Sequence, residues 1–242
     1  MPRIPKWLGD TMEVVFNGMI HPVEGSSVEY LSLNLKKIVM AGDLSGTKFT
    51  PGNVIEFRVN DHEFRHYTAS RFDRQQGVCE MLVYLHGKGE GSRWAESIKA
   101  GDRLKMMGPG GKINYRYGHS HHFFFGDETS LGLFACLKEA ALENDHPFYC
   151  LAELEENYSG WPELVHVPAE VVGKSFATPA LPATEKISAL GGLFWQEWRD
   201  AAFYLTGRAR SIQAVRKELL SQGVSMKNIQ TEPYWAEGKK GL

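Results

Sequence analysis

The residues of this chain best suited to chemistry lie in short, separate clusters. In 65-RHYT-68 an arginine and a tyrosine alternate with a histidine and a threonine, in a stretch that otherwise reads as extended. Alternate side chains of a strand share a face, so Arg65 and Tyr67 lie together, with His66 and Thr68 opposite. A guanidinium pairs with phosphate and a phenol ring stacks on a flat aromatic ligand, while the Thr68 hydroxyl or backbone N–H can reach a ring nitrogen. An edge strand with a salt-bridging arginine explains the same four residues. The second cluster is 83-VYLHGKGEGSRWAES-97. A strand carrying Val83 and Leu85 ends at His86, glycines 87, 89 and 91 follow, and a helix opens near Ser92. Free N–H groups at a helix start suit a pyrophosphate, and glycines let the backbone approach it; a flexible hairpin-like loop is the plainer alternative. Two further clusters, 126-GDETS-130 and 206-TGR-208, follow strand ends, where ligands of open α/β sheets bind. Neither is a GxGxxG, and GDETS also fits an ordinary N-capped turn.

Two kinds of scaffold must position these residues. From residue 11 to about 118, EVVFNGMI, VEYLSLNL, NVIEFRV, FRHYTASR, VCEMLVYL and RLKMMG read as short strands between turn-rich pieces, as in an antiparallel barrel or sandwich. One helix is expected at 92–100, with Ser92 as N-cap and Gly101 as stop. After residue 118 strands alternate with helices. HFFFG leads through GDETS into a helix with Leu131, Phe134, Leu137 and Ala141 on one face, and FYCLAEL follows as a strand. AFYLTGR leads into a helix with Ile212, Val215 and Leu219 inward and Gly223 as its stop. Strand-helix alternation implies a parallel sheet. The expected organisation is therefore a two-domain α/β protein, with an antiparallel β-barrel over 1–118 and an α/β parallel-sheet domain over 119–242.

Bulk composition bounds the function. With 242 residues, 43% hydrophobic and 23% charged, the chain has the apolar mass for globular cores. A formal net charge of −2 argues against nucleic acid as a partner. Cys79, Cys136 and Cys150 fit neither a disulfide framework nor a CxxC site and read as buried thiols of a reducing compartment. The opening MPRIPKWLGD has no apolar signal core and no stretch is long enough to cross a bilayer, so a cytoplasmic location without membrane insertion is expected. His119, His121 and His122 lack accompanying Cys or Asp spacing, a polar turn explains them, and no metal site is expected. Glu153, Glu155 and Glu156 read as a solvated turn, and no Ser-His-Asp arrangement or P-loop is present.

Together, R-x-Y-T at 65–68, His86 with GSRWA at 91–95, GD-x-L…GP at 101–109, GDET at 126–129 and the tail Tyr234-Trp235 with Gly238 resemble the siderophore-interacting protein family. These are FAD-dependent ferric-siderophore reductases of the ferredoxin-reductase superfamily, and the resemblance spans nearly the whole chain. The RxYT element is shared across the superfamily; the SRWA, GDET and YWxxG set is more specific. Pro233 stands where some members carry glycine, which alters the placement expected for the tail.

The resemblance implies FAD bound by Arg65, His66, Tyr67, Thr68, Val83, Leu85, His86, Gly91, Ser92, Arg93, Trp94 and Ala95. Tyr67 would lie against the isoalloxazine with Thr68 near its N5, Arg65 would neutralise a phosphate, and Trp94 reads as a packing anchor within that segment. It implies NADH or NADPH docking at Gly126, Asp127, Glu128, Thr129, Ser130, Thr206, Gly207 and Arg208. Glu153 or Glu155 would favour NADH by holding a ribose hydroxyl, whereas Arg208 or Arg210 would favour a 2′-phosphate. The implied reaction passes electrons from the nicotinamide through FAD to chelated Fe(III), whose reduction loosens the siderophore's grip. Arg71, Lys112, Lys239 and Lys240 are the candidate cationic rim for the ferric siderophore, and a ferredoxin is an alternative electron donor. The rival expectations are a general flavin reductase with another acceptor and a non-enzymatic siderophore-binding protein.

Overall fold

The structure, a computed structural model, describes residues 20–239. These form two compact units, the first ending at Gly111 and the second running from Lys112 to Lys239. The break therefore falls earlier in the chain than the change of sequence pattern at residue 118.

The first unit is a closed barrel of β1 (Ile20–Ser32), β2 (Leu35–Gly42), β3 (Val54–Asn60), β4 (Glu63–Asp73), β5 (Val78–Tyr84) and β6 (Arg103–Gly110), in the order β1-β2-β5-β4-β3-β6. Every pairing is antiparallel. Alternation along β2 and β5 sends Ile38, Met40, Cys79, Met81 and Val83 into the core, where they meet Ile55, Phe57, Ala69 and Met106. The expected strand VEYLSLNL is cut by a turn at Leu33-Asn34, so Ser32 pairs with Leu35 across a tight hairpin. Asparagine suits such a turn, and Asn34 is further tied by donating from Nδ2 to the Leu85 carbonyl and accepting from the Leu85 N–H. Of the expected strand EVVFNGMI, all but Ile20 lies outside the described residues.

The barrel's helix, α1, spans Glu90–Ser97. It starts earlier than the expected Ser92 because Gly89, at φ 83°, makes the turn into the helix. Ser92 is not the cap; its hydroxyl accepts the Gly87 N–H at 3.1 Å and pins the preceding loop. The helix also stops short of residue 100, since Ile98 is already extended.

The second unit has a five-stranded sheet of β7 (His122–Gly126), β8 (Phe148–Leu154), β9 (Glu170–Gly173), β10 (Ala202–Arg208) and β11 (Ile229–Trp235), ordered β11-β10-β7-β8-β9. All pairings are parallel. The helices are α2 (Leu131–Glu143), α3 (Trp161–Leu164), α4 (Leu181–Ala189), α5 (Gly191–Trp198) and α6 (Ala209–Ser221). The inward faces expected for α2 and α6 are buried, and β7 is buried at every position, as a central parallel strand requires. Each buried phenyl of Phe123, Phe124 and Phe125 contributes about 1.5–3 kcal/mol relative to exposure. Strand order runs outward from β7 to β9 and then returns to β10, so the switch point lies between β7 and β10. Pro233 is accommodated because β11 is an edge strand; a register shift there sets Pro233 opposite Gly207 and Trp235 opposite Arg208. No helix among the described residues is long and apolar enough to cross a membrane.

Candidate functional site

In the barrel, β4 presents Arg65 and Tyr67 toward the start of α1. The Tyr67 hydroxyl donates to the Gly91 carbonyl at 2.9 Å. Its ring lies 5.4 Å from Trp94 and 6.2 Å from Phe57, and Phe57 and Trp94 are 4.9 Å apart. These three rings join strand, barrel core and helix, which makes Trp94 the packing anchor its type suggests. Burial keeps the Tyr67 phenol protonated far above neutral pH, despite the pull of Arg65. A Cβ at Gly91 would lie 3.1 Å from both the Arg65 Cγ and the Tyr67 hydroxyl, so glycine is what lets the helix start approach the strand. Gly89 provides no side-chain cap, so the first-turn N–H groups are not closed by one and suit an anion. Cationic fork, aromatic ring, glycine approach and uncapped helix start together fit a flavin dinucleotide.

The remaining flavin candidates divide by environment. Arg65 donates to Glu63 at 2.6 Å and to the Phe64 carbonyl at 2.8 Å, so Glu63 is a same-face carboxylate that a phosphate would have to join or displace. His66 pairs with Glu56 at 3.3 Å, and Thr68 is 9% exposed. Strand alternation sets both opposite Tyr67. Val83, Leu85 and Ala95 belong to the barrel core. His86 is exposed, its Nδ1 accepting the Lys88 N–H at 3.2 Å, and Arg93 pairs with Glu90 at 2.5 Å.

In the α/β unit, the fold brings the two separate strand-end clusters together at the switch point. The Thr206 hydroxyl donates to Ser130 Oγ at 2.8 Å. Gly207, at φ 94°, lies so close to Asp127 that a Cβ would fall 2.6 Å from its carboxylate carbon, and a Cβ on Gly126 would fall 2.3 Å from Ser130 Oγ. Asp127 caps the turn over Glu128–Ser130, accepting the Thr129 N–H at 3.0 Å, so the N-capped turn and the strand-end site are the same feature.

Charged groups that sequence reasoning missed crowd this point. Lys174 forms an ion pair with Glu128 and lies 3.9 Å from Asp127. Glu128 also accepts the Glu155 N–H at 2.7 Å; burial raises its pKa, against the opposing pull of Lys174. The Trp235 indole donates to Asp127 at 2.6 Å. Arg208 is 2% exposed and bonded to Glu237 and to the Ser175 carbonyl. Glu153 is fully buried, accepting the Ala180 N–H at 3.1 Å, which turns it away from any solvent-borne ribose.

Of the other candidates, Arg71 has an exposed side chain 3.6 Å from Asp73, and Lys112 and Lys239 are exposed. Lys240 lies outside the described residues. The three histidines diverge: His119 meets the Asp200 carbonyl, His121 meets Glu197, and His122 is buried against Tyr204 and His146. The three cysteines are buried and none is in a disulfide.

An antiparallel barrel followed by a parallel α/β unit is the fold of the ferredoxin-reductase-type flavoproteins. This chain is similar to the ferredoxin reductase in carbazole 1,9a-dioxygenase, with a TM-score of 0.72, 22% identity and coverage of 89% of this chain and 68% of that one. It is similar to the siderophore-interacting protein SipS from Aeromonas hydrophila, with a TM-score of 0.71, 20% identity and coverage of 92% and 93%. Residues 50–113 match the family model of the siderophore-interacting FAD-binding domain, which bears out the resemblance read from the motifs. The matched stretch takes in β3 to β6 and α1, and with them Arg65, Tyr67 and Gly91. Over 82 residues the chain is 34% identical to NADH-cytochrome b5 reductase 1 of Mycosarcoma maydis, a match covering 33% of this chain and 25% of that protein. The chain therefore spans about a quarter of that relative's length.

Proposed function

We propose that this protein is a flavin-dependent ferric-chelate reductase, taking electrons from NADH or NADPH and delivering them to Fe(III) in a siderophore. The observation that carries this reading is the cluster of Arg65, Tyr67 and Gly91 inside the segment matched by the siderophore-interacting FAD-binding family. Bound FAD would supply two-electron uptake and one-electron release. The chain's own part is positional. Arg65 and the α1 start would meet the phosphate charge of FAD, Tyr67, whose hydroxyl is held by the Gly91 carbonyl, would pack against its ring system, and Thr68 would offer it a backbone N–H. The α/β unit would receive the nicotinamide nucleotide at the switch point between Gly126 and Gly207. Exposed Arg71, Lys112 and Lys239 favour an anionic or oxygen-rich chelate.

The test is anaerobic absorbance of FAD-loaded protein. NADH or NADPH should bleach the flavin, and a ferric siderophore should restore its colour with Fe(II) appearing in a ferrous trap. Bleaching without reoxidation by any ferric chelate would reject the substrate assignment. A second reading, a general reductase with a protein acceptor, is favoured by the similarity to the cytochrome b5 reductase, and reoxidation by a haem protein in preference to ferric chelates would select it.

A further inference from the structure

The buried guanidinium of Arg208 is built as a fork with one edge closed by the chain's own tail. Nη1 is fixed on the Ser175 carbonyl at 2.7 Å. Phe176 and Trp235 flank the guanidinium, with ring centroids at 5.3 and 5.9 Å. The other edge, Nε and Nη2, converges on a single oxygen of Glu237, Oε1. Arg208 stands at the carboxyl end of β10, beside the close approach of Gly207 to Asp127. A guanidinium with so little exposure requires an anion there.

That anion comes from an element that can leave. Glu237 lies beyond the last residue of β11, in a turn closed by the Lys239 N–H on the Ala236 carbonyl at 3.2 Å, with Gly238 at φ 73°. Its side chain is 36% exposed. Swinging this turn breaks no strand pairing, because Trp235 still closes the ladder against Arg208 and its indole still holds Asp127. A phosphate offers two oxygens to the two donors that now share one, which is the better match to a planar fork.

We propose that Glu237 is an internal stand-in for a nucleotide phosphate, holding Arg208 until a phosphate of the incoming nicotinamide dinucleotide displaces it. This rests on the nucleotide-binding reading above. It makes Glu237 a competitor for the site, so the tail weakens nucleotide affinity while keeping the buried cation paired.

The test is calorimetric titration of NAD⁺ and NADP⁺ into oxidised FAD-loaded protein, comparing the natural chain with Glu237→Gln and Glu237→Ala. Removing the competing carboxylate should tighten binding about ten- to a hundredfold, the worth of one charge-assisted bond. Tightening of NADP⁺ alone assigns Arg208 to the 2′-phosphate, whereas tightening of both assigns it to the pyrophosphate. Adding Arg208→Ala to Glu237→Gln should abolish the gain. Unchanged or weaker binding by both variants, with the natural chain binding normally, would overturn the proposal and leave the nucleotide reading standing. No binding of either nucleotide by any of these proteins would reject that reading, and the proposal with it.

Discussion

Replacing Lys36 by methionine should cost the barrel its hold on helix α1. Lys36 is 1% exposed on β2, and its ammonium donates to the carbonyls of Ala95, Glu96 and Ile98 at 2.8, 2.7 and 2.8 Å. These carbonyls close the C-terminal end of α1, the helix whose start faces Arg65 and Tyr67. Methionine keeps most of the unbranched stem and removes every donor. The bonds to Ala95 and Ile98 are buried, and each carbonyl left without a partner costs about 1–3 kcal/mol. Against this, burial already lowers the Lys36 pKa despite Glu96 and Asp102, so losing the ammonium returns part of its desolvation cost. The net loss is about 2–4 kcal/mol, or roughly 10–25 °C in the barrel's transition. Calorimetric melting of the barrel and fluorescence titration of FAD would measure both effects, and FAD should bind at least about tenfold more weakly because the helix start proposed to meet its phosphates is no longer anchored. A transition moved by less than about 2 °C, with FAD affinity unchanged, would refute the reasoning.

Gly91→Ala should weaken FAD binding by about fivefold or more through crowding of Arg65 and Tyr67, while helix propensity leaves barrel stability near its starting value; titration and melting separate the two. Trp235→Phe removes the indole donor from buried Asp127 and should cost the α/β unit about 1.5–3 kcal/mol in chemical denaturation. Burial, then the neighbouring His146, depresses the His122 pKa from 6.5 to about 4. As the pH falls below 6.5 the unfolded chain therefore takes up the proton first. The contribution to stability of about 3 kcal/mol is complete above pH 6.5, shrinks down to pH 4 and is absent below it. His122→Phe should flatten that part of the pH-stability curve, and a slope persisting unchanged would count against the assignment.

What the sequence made legible was whatever depends on near neighbours. Period-two alternation placed Arg65 with Tyr67, and three-four spacing placed the buried faces of α2 and α6. The same alternation would have pointed to Glu63, two residues before Arg65 on its face. The stretch 155–200 yielded little because β9 and α3 are only four residues each and α4 and α5 meet at Leu190. Ser92 misled for a different reason: a hydroxyl near a helix start can cap the helix or pin the loop before it, and Gly89 had already supplied the turn. The deeper omissions are the buried cations. Lys36 reads as an ordinary strand lysine until its carbonyl partners arrive about 60 residues later. Lys174 meets Glu128 from 46 positions away, and Arg208 meets Glu237 from 29. No local pattern marks such pairs, because what selects them is the cost of leaving a charge buried alone, and burial is decided only by the completed fold. A cluster such as TGR can therefore be found from its residues, while the charge that occupies it must be found in the structure.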